Sequence, residues 1–78
     1  MRILLTDRNR HVRELLRREL ETEGYTVAVA RDAHEILGLL AAGDSPDLLI
    51  LDLEIPYMVE INLLQHLQAN YPSLPVII

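Results

Sequence analysis

Cysteine, tryptophan, phenylalanine and lysine are all missing from this 78-residue chain. Without cysteine there is neither a disulfide framework nor a thiolate metal site. A reducing compartment suits such a chain. Without phenylalanine and tryptophan, aliphatic side chains must build the core. Hydrophobic residues make up 50% of the chain, so material for it is plentiful. No segment approaches the ~18 apolar residues of a membrane span. Met1 opens directly into a strand-like run and not into a signal sequence. A cytoplasmic location with no membrane partner is therefore expected. One domain at most is expected at this length. It buries roughly 60% of its unfolded surface, so its stability margin is thin.

The missing lysine makes every basic residue an arginine. All seven (Arg2, Arg8, Arg10, Arg13, Arg17, Arg18 and Arg31) fall in the first 31 positions. Such a cluster is either the solvated face of a helix or a patch for an acidic partner. The formal net charge of −5 argues against direct nucleic-acid binding.

Apolar periodicity divides the chain cleanly. Ile3-Leu4-Leu5, closed by Thr6-Asp7, reads as a buried strand. Val12, Leu15, Leu16 and Leu20 then form one face of a helix. Glu14–Arg18 and Arg17–Glu21 are four-apart ion pairs on it, and Gly24 is its expected left-handed end. Tyr25–Ala30 reads as a second strand, rich in β-branched residues. Asp32 and Glu35 have the spacing of a capping box. A second helix follows with Ile36, Leu37 and Leu40 as its apolar stripe, ended by Gly43, Asp44, Ser45 and Pro46. Leu48–Leu51 is apolar throughout, as befits a central parallel strand. A third helix is predicted over about 59–69, with Ile61, Leu64 and Leu67 on its buried side. Asn70-Tyr71-Pro72 stops it, and Val76-Ile77-Ile78 begins a fourth strand.

Strands alternating with helices predict an α/β fold with a doubly wound parallel sheet. Right-handed crossovers and helices on both faces give the strand order 2-1-3-4. Ligands of such sheets bind beyond the carboxyl ends of the strands at the switch point, here between strands one and three. Asp7 and Asp52 end those two strands. Carboxylates there either solvate the rim and cap helices or form a reactive site.

The segment Pro46-Asp47-Leu48-Leu49-Ile50-Leu51-Asp52-Leu53-Glu54-Ile55-Pro56 resembles the phosphoacceptor region of response-regulator receiver domains, with an aspartate after strand three and a proline four residues on. The strand ending in Asp7, the helix over 12–20, Gly24-Tyr25 and the helix start at Asp32–Glu35 match the family's texture in the same order. The resemblance spans essentially the whole chain, residues 1–78, as the N-terminal part of a receiver from strand one to strand four. It implies the flavodoxin-like fold and phosphoryl transfer from a histidine kinase or phosphotransfer protein to Asp52. It also implies Mg²⁺ held by Asp52, Asp7 and the backbone carbonyl of Glu54.

Three features depart from the family pattern. Receivers usually carry two consecutive acids after strand one, where this chain has Asp7-Arg8. Arg8 would either fork onto Asp52 or Asp7 and stand in for the cation, or swing into solvent. The loop after Pro56 reads Tyr57-Met58-Val59-Glu60, with no glycine where the family favours a permissive backbone. The sequence runs from strand one to strand four, so within these residues the family's last strand and helices have no counterpart. Nor do its Ser/Thr at the end of strand four and Lys at the end of strand five. Bare apolar surface on strands three and four is then expected either to drive self-association or to mark the chain as the ordered part of something longer.

His11, His34 and His66 fall on three separate helices without metal-ligand spacing, and are expected on the surface. Tyr57 and Met58 are expected to pack against the loop. The leading expectation is a phosphoacceptor module of two-component signalling, and a phosphorylation-independent interaction or dimerisation module is the alternative. An enzyme is the weakest reading: strand one leads into no Gly-rich phosphate loop, and neither acid begins an Asp-x-Asp pair.

Overall fold

The computed structural model describes residues 1–43 and 45–78; Asp44, expected among the residues ending the second helix, lies outside the described residues. The elements run β1 (Arg2–Thr6), α1 (Arg10–Thr22), β2 (Thr26–Ala30), α2 (Ala33–Ala41), β3 (Leu48–Ile50), α3 (Met58–Ile61), α4 (Leu63–Asn70) and β4 (Val76–Ile77). The sheet order is β2-β1-β3-β4, and all three pairings are parallel. The doubly wound order predicted from the alternation is therefore the one observed.

Side-chain alternation splits the sheet into two unequal faces. Leu4 and Leu49 are partners in register and point toward α2 and α4. There they join Ala30, Ala33, Ile36, Leu40, Leu51, Ile55, Leu63 and Leu67 in one buried aliphatic cluster. The opposite face carries Ile3 and Leu5, both buried, with Leu48 and Ile50, only half-buried. α1 lies on this side and none of its residues is fully buried. Its apolar stripe stays open, with Leu15 57% and Leu16 37% exposed.

Local chemistry accounts for the element ends. Asn9 caps α1, its side-chain oxygen accepting from the N–H groups of His11 and Val12 at 2.8 and 3.2 Å. Gly24 takes φ +96° just beyond the helix, which only glycine adopts without strain. Arg17 pairs with Glu21 as expected. Glu14, however, is taken by Arg17 and not by Arg18, so a single guanidinium bridges two carboxylates three and four residues away. Asp32 accepts from the Glu35 N–H at 2.9 Å. The Glu35 carboxylate does not complete the box on Asp32 but reaches the Arg31 N–H at 2.6 Å and the Arg31 guanidinium.

The third helix differs from its expected form. Asn62 sits in the left-handed region (φ 54°, ψ 54°) and divides it into α3 and α4. The break resets the helical phase. Leu63 and Leu67 are buried, while Leu64 is exposed and Ile61 only half-buried. Asparagine is among the few residues that tolerate this backbone. Its amide contacts Gln65 in the next turn.

The two faces make unequal demands on stability. Leu49→Ala is expected to cost about 2–5 kcal/mol, the usual range for emptying a buried leucine, and Leu48→Ala clearly less. Urea denaturation of both variants checks this; equal costs would mean that the α1 side is as well covered as the α2 side.

Candidate functional site

β1 is flanked by its sequence neighbour β2 on one side and by β3 on the other, which makes β1–β3 the switch point. Leu5 and Ile50 are partners. The same offset carried two residues further sets Asp7 level with Asp52, beyond the carboxyl ends of their strands. Thr6 locks this end. It is buried, its Oγ1 donates to the Ile50 carbonyl at 2.9 Å, and the same oxygen accepts from the Asp52 N–H at 2.9 Å. A lone hydroxyl in an aliphatic strand is thereby satisfied twice, and it fixes where Asp52 leaves β3. In the sequence Thr6 marks only a strand end, and its one signal is a polar residue in an otherwise apolar run.

Asp52 has a side chain 12% exposed, and Arg8 one 56% exposed. The two are joined three ways. The Arg8 backbone N–H donates to Asp52 Oδ2 at 2.8 Å, Nε to the same oxygen at 3.0 Å, and Nη2 to Oδ1 at 3.0 Å. The Nε/Nη2 pair is the bidentate fork that guanidinium and carboxylate geometry favour. The remaining nitrogen, Nη1, pairs with the Glu54 carboxylate. The Glu54 N–H donates back to Asp52 Oδ1 at 2.9 Å. Of the destinations open to Arg8 in the sequence, the structure adopts Asp52, and it adds Glu54, whose side chain the sequence reading did not involve.

Asp7 takes another role. Its Oδ1 accepts from the Asn9 N–H at 2.8 Å, and its carbonyl accepts from Arg13 Nη1 at 2.7 Å. It shapes the entry to α1 and holds the turn that turns Arg8 back over Asp52.

The loop beyond is anchored by Ile55, which is buried in the core, and by the Pro56 carbonyl, which accepts from the Ala33 N–H at 3.1 Å. Tyr57 then adopts φ 71°, so a bulky residue occupies the left-handed conformation that glycine would supply. Its ring packs on His34, centroids 4.7 Å apart. Met58 is half-buried against the core. His11, His34 and His66 are all exposed. Among the described residues, no three of His, Asp and Glu gather as a metal-binding set.

Comparison with known proteins places this geometry. The family model described as the response regulator receiver domain matches residues 3–78. The chain belongs to the response regulator receiver family. This receiver is 40% identical to response regulator MprA of Mycobacterium avium over 78 residues, all of this chain and 34% of that protein. It thus spans about a third of the length of the curated relatives it matches. Response regulator TrrA of Thermotoga maritima, solved in complex with Mg²⁺-BeF, superposes with a TM-score of 0.82 at 32% identity, over 96% of this chain and 64% of that one. TrrA in complex with histidine kinase ThkA gives a TM-score of 0.83 at 32% identity, with the same coverage. No helix of the described residues is long and apolar enough to cross a membrane.

A carboxylate offers about four acceptor positions. Asp52 accepts two backbone and two guanidinium N–H groups. Asp7 spends one oxygen on the turn. With Arg8 in this position the residues present do not fit a divalent cation at Asp52, the Asp7 carboxylate and the Glu54 carbonyl.

The same contacts set the titration of Asp52. The hydrogen-bonded Arg8 guanidinium, then the N–H groups of Glu54 and Arg8, hold its carboxyl down from the ordinary 3.8 to about 2, against the opposing effect of burial. A depressed carboxyl stabilises the fold fully above its unfolded value. That contribution is lost as pH falls from about 4 through about 2. Carboxyl-detected NMR titration is expected to find Asp52 near 2, and to find it moved up toward its ordinary value in Arg8→Ala; an unmoved value would mean that the guanidinium is not its main partner.

Proposed function

We propose that this receiver is a phosphoacceptor module of two-component signalling, with Asp52 as the acceptor and a histidine kinase or phosphotransfer protein as the donor. The observation that carries the reading is an ionised, largely enclosed carboxylate at the switch point, with N–H donors converging on it from two backbone positions and one guanidinium. The family supports the chemistry, and TrrA, in complex with its kinase, supports the partner.

In the proposed step an Asp52 oxygen attacks the phosphorus of a phosphohistidine. The P–N bond breaks, the imidazole leaves with its electron pair, and an acyl phosphate remains on Asp52. A carboxylate is a weak nucleophile, so the residues around it act by position and charge. The N–H groups of Arg8 and Glu54 orient the attacking group. Arg8 slides from carboxylate to phosphoryl oxygens, which its planar fork suits equally well. Phosphorylation thus exchanges the resting Arg8–Asp52–Glu54 contacts for a new set and shifts the population of surface states that a partner reads.

A second reading, a phosphorylation-independent module acting through constitutive contacts, is favoured by the saturation of Asp52 by hydrogen bonds at rest. In either case a second copy of the chain is a fitting partner. The open α1 stripe, half-buried Leu48 and Ile50, and β4 with Ile77 54% exposed make one side of the sheet apolar. A cytoplasmic setting goes with both readings.

Incubation with acetyl phosphate followed by intact mass spectrometry is expected to show one added phosphoryl group, absent in Asp52→Ala. No gain in folded protein would favour the constitutive reading and turn attention to the oligomeric state by sedimentation.

A further inference from the structure

Asp52 and Glu54 both face a cation at the switch point, and that cation, Arg8, is part of the chain. Arg8 is anchored at its backbone, where its N–H reaches Asp52 Oδ2 at 2.8 Å. Its side chain folds back so that Nε and Nη2 cover both Asp52 oxygens and Nη1 engages Glu54. Asp7, its neighbour, is fastened to the Asn9 N–H, and the Asp7 carbonyl to Arg13, so the turn presenting Arg8 is held from both sides. A metal entering here would have to displace the guanidinium and then stay beside it, like charge against like charge in a partly enclosed site.

From this geometry we infer that Arg8 is a built-in counter-cation that replaces the divalent metal, making Asp52 a metal-independent site for a phosphoryl group. The inference deepens the reading above and rests on it for the identity of the ligand. Its metal half stands on the contacts alone. Guanidinium and metal differ in what they supply. Arg8 offers directional donors and a charge that neither dissociates nor depends on the metal concentration around it, whereas Mg²⁺ offers an octahedral shell that needs free carboxylate oxygens.

The test is a Mg²⁺ titration of the whole chain followed by amide NMR at Arg8, Asp52 and Glu54. Wild type is expected to show no saturable shift at millimolar Mg²⁺. Arg8→Asp, which restores a second acid, is expected to gain one that disappears in Arg8→Asp/Asp52→Asn. Arg8→Gln, of similar size and no charge, serves as a second variant if Arg8→Asp does not fold. In parallel, phosphoryl uptake from acetyl phosphate by wild type is expected to be the same with EDTA as with Mg²⁺. Saturable, Asp52-dependent Mg²⁺ binding by wild type would overturn the inference, as would uptake abolished by EDTA. Folded Arg8 variants that still fail to bind Mg²⁺ would also overturn it, because something other than Arg8 would then exclude the metal. Silent amides without phosphoryl uptake would uphold the exclusion of the metal while removing the phosphoacceptor reading, so the two failures are distinguishable.

Discussion

The pairing of β1 with β3 is the constraint from which the rest of the site follows. β1 is bonded to β2 on one side and to β3 on the other, and its offset against β3 determines what meets at the carboxyl end. That offset brings Asp7-Arg8 alongside Asp52. Thr6 secures it by bonding the Ile50 carbonyl and the Asp52 N–H with one hydroxyl. A slip of one residue would turn every side chain of β1 to the other face. Leu4 would leave the aliphatic cluster and Arg8 would lose Asp52, so core and site are registered by the same ladder.

The sheet's two faces divide the work. On the α2 and α4 side, ten of the described residues pack into one cluster, among them Ile55 from the loop after Asp52. The core therefore holds the site from behind. On the α1 side the helix lies over the sheet without any fully buried residue. Such a face is cheap to rearrange and open to a partner, whereas the cluster is neither.

Much of this was legible in the sequence, because the signals concerned were periodic or chemically singular. Unbroken apolar character at 48–51, an aspartate directly after it and alternation of strand with helix were enough for the sheet order and for Asp52 at its switch point. The division of the third helix was not legible. Apolar residues continue across Asn62 without interruption, and an asparagine in the left-handed region looks no different in sequence from one inside a helix. The phase reset then moved the buried face from Ile61 and Leu64 to Leu63. Tyr57 was flagged by a missing glycine, but not the ring of His34 that packs on it. For Arg8 the sequence left several destinations open, since a long side chain at a strand end reaches all of them. Only the backbone turn shaped by Asp7 and Asn9 selects Asp52.

Arg8 thus changes the character of a familiar site without moving the carboxylate that follows β3. The guanidinium forks onto the carboxylate, lowers its titration, and ties it to Glu54 on the following loop. The measurement that tests this most directly is NMR observation of the Arg8 side-chain Nε–H in the resting protein. The account predicts a single, slowly exchanging signal that Asp52→Asn shifts and speeds into fast exchange with water. A signal already averaged with solvent in wild type, indifferent to Asp52→Asn, would contradict it.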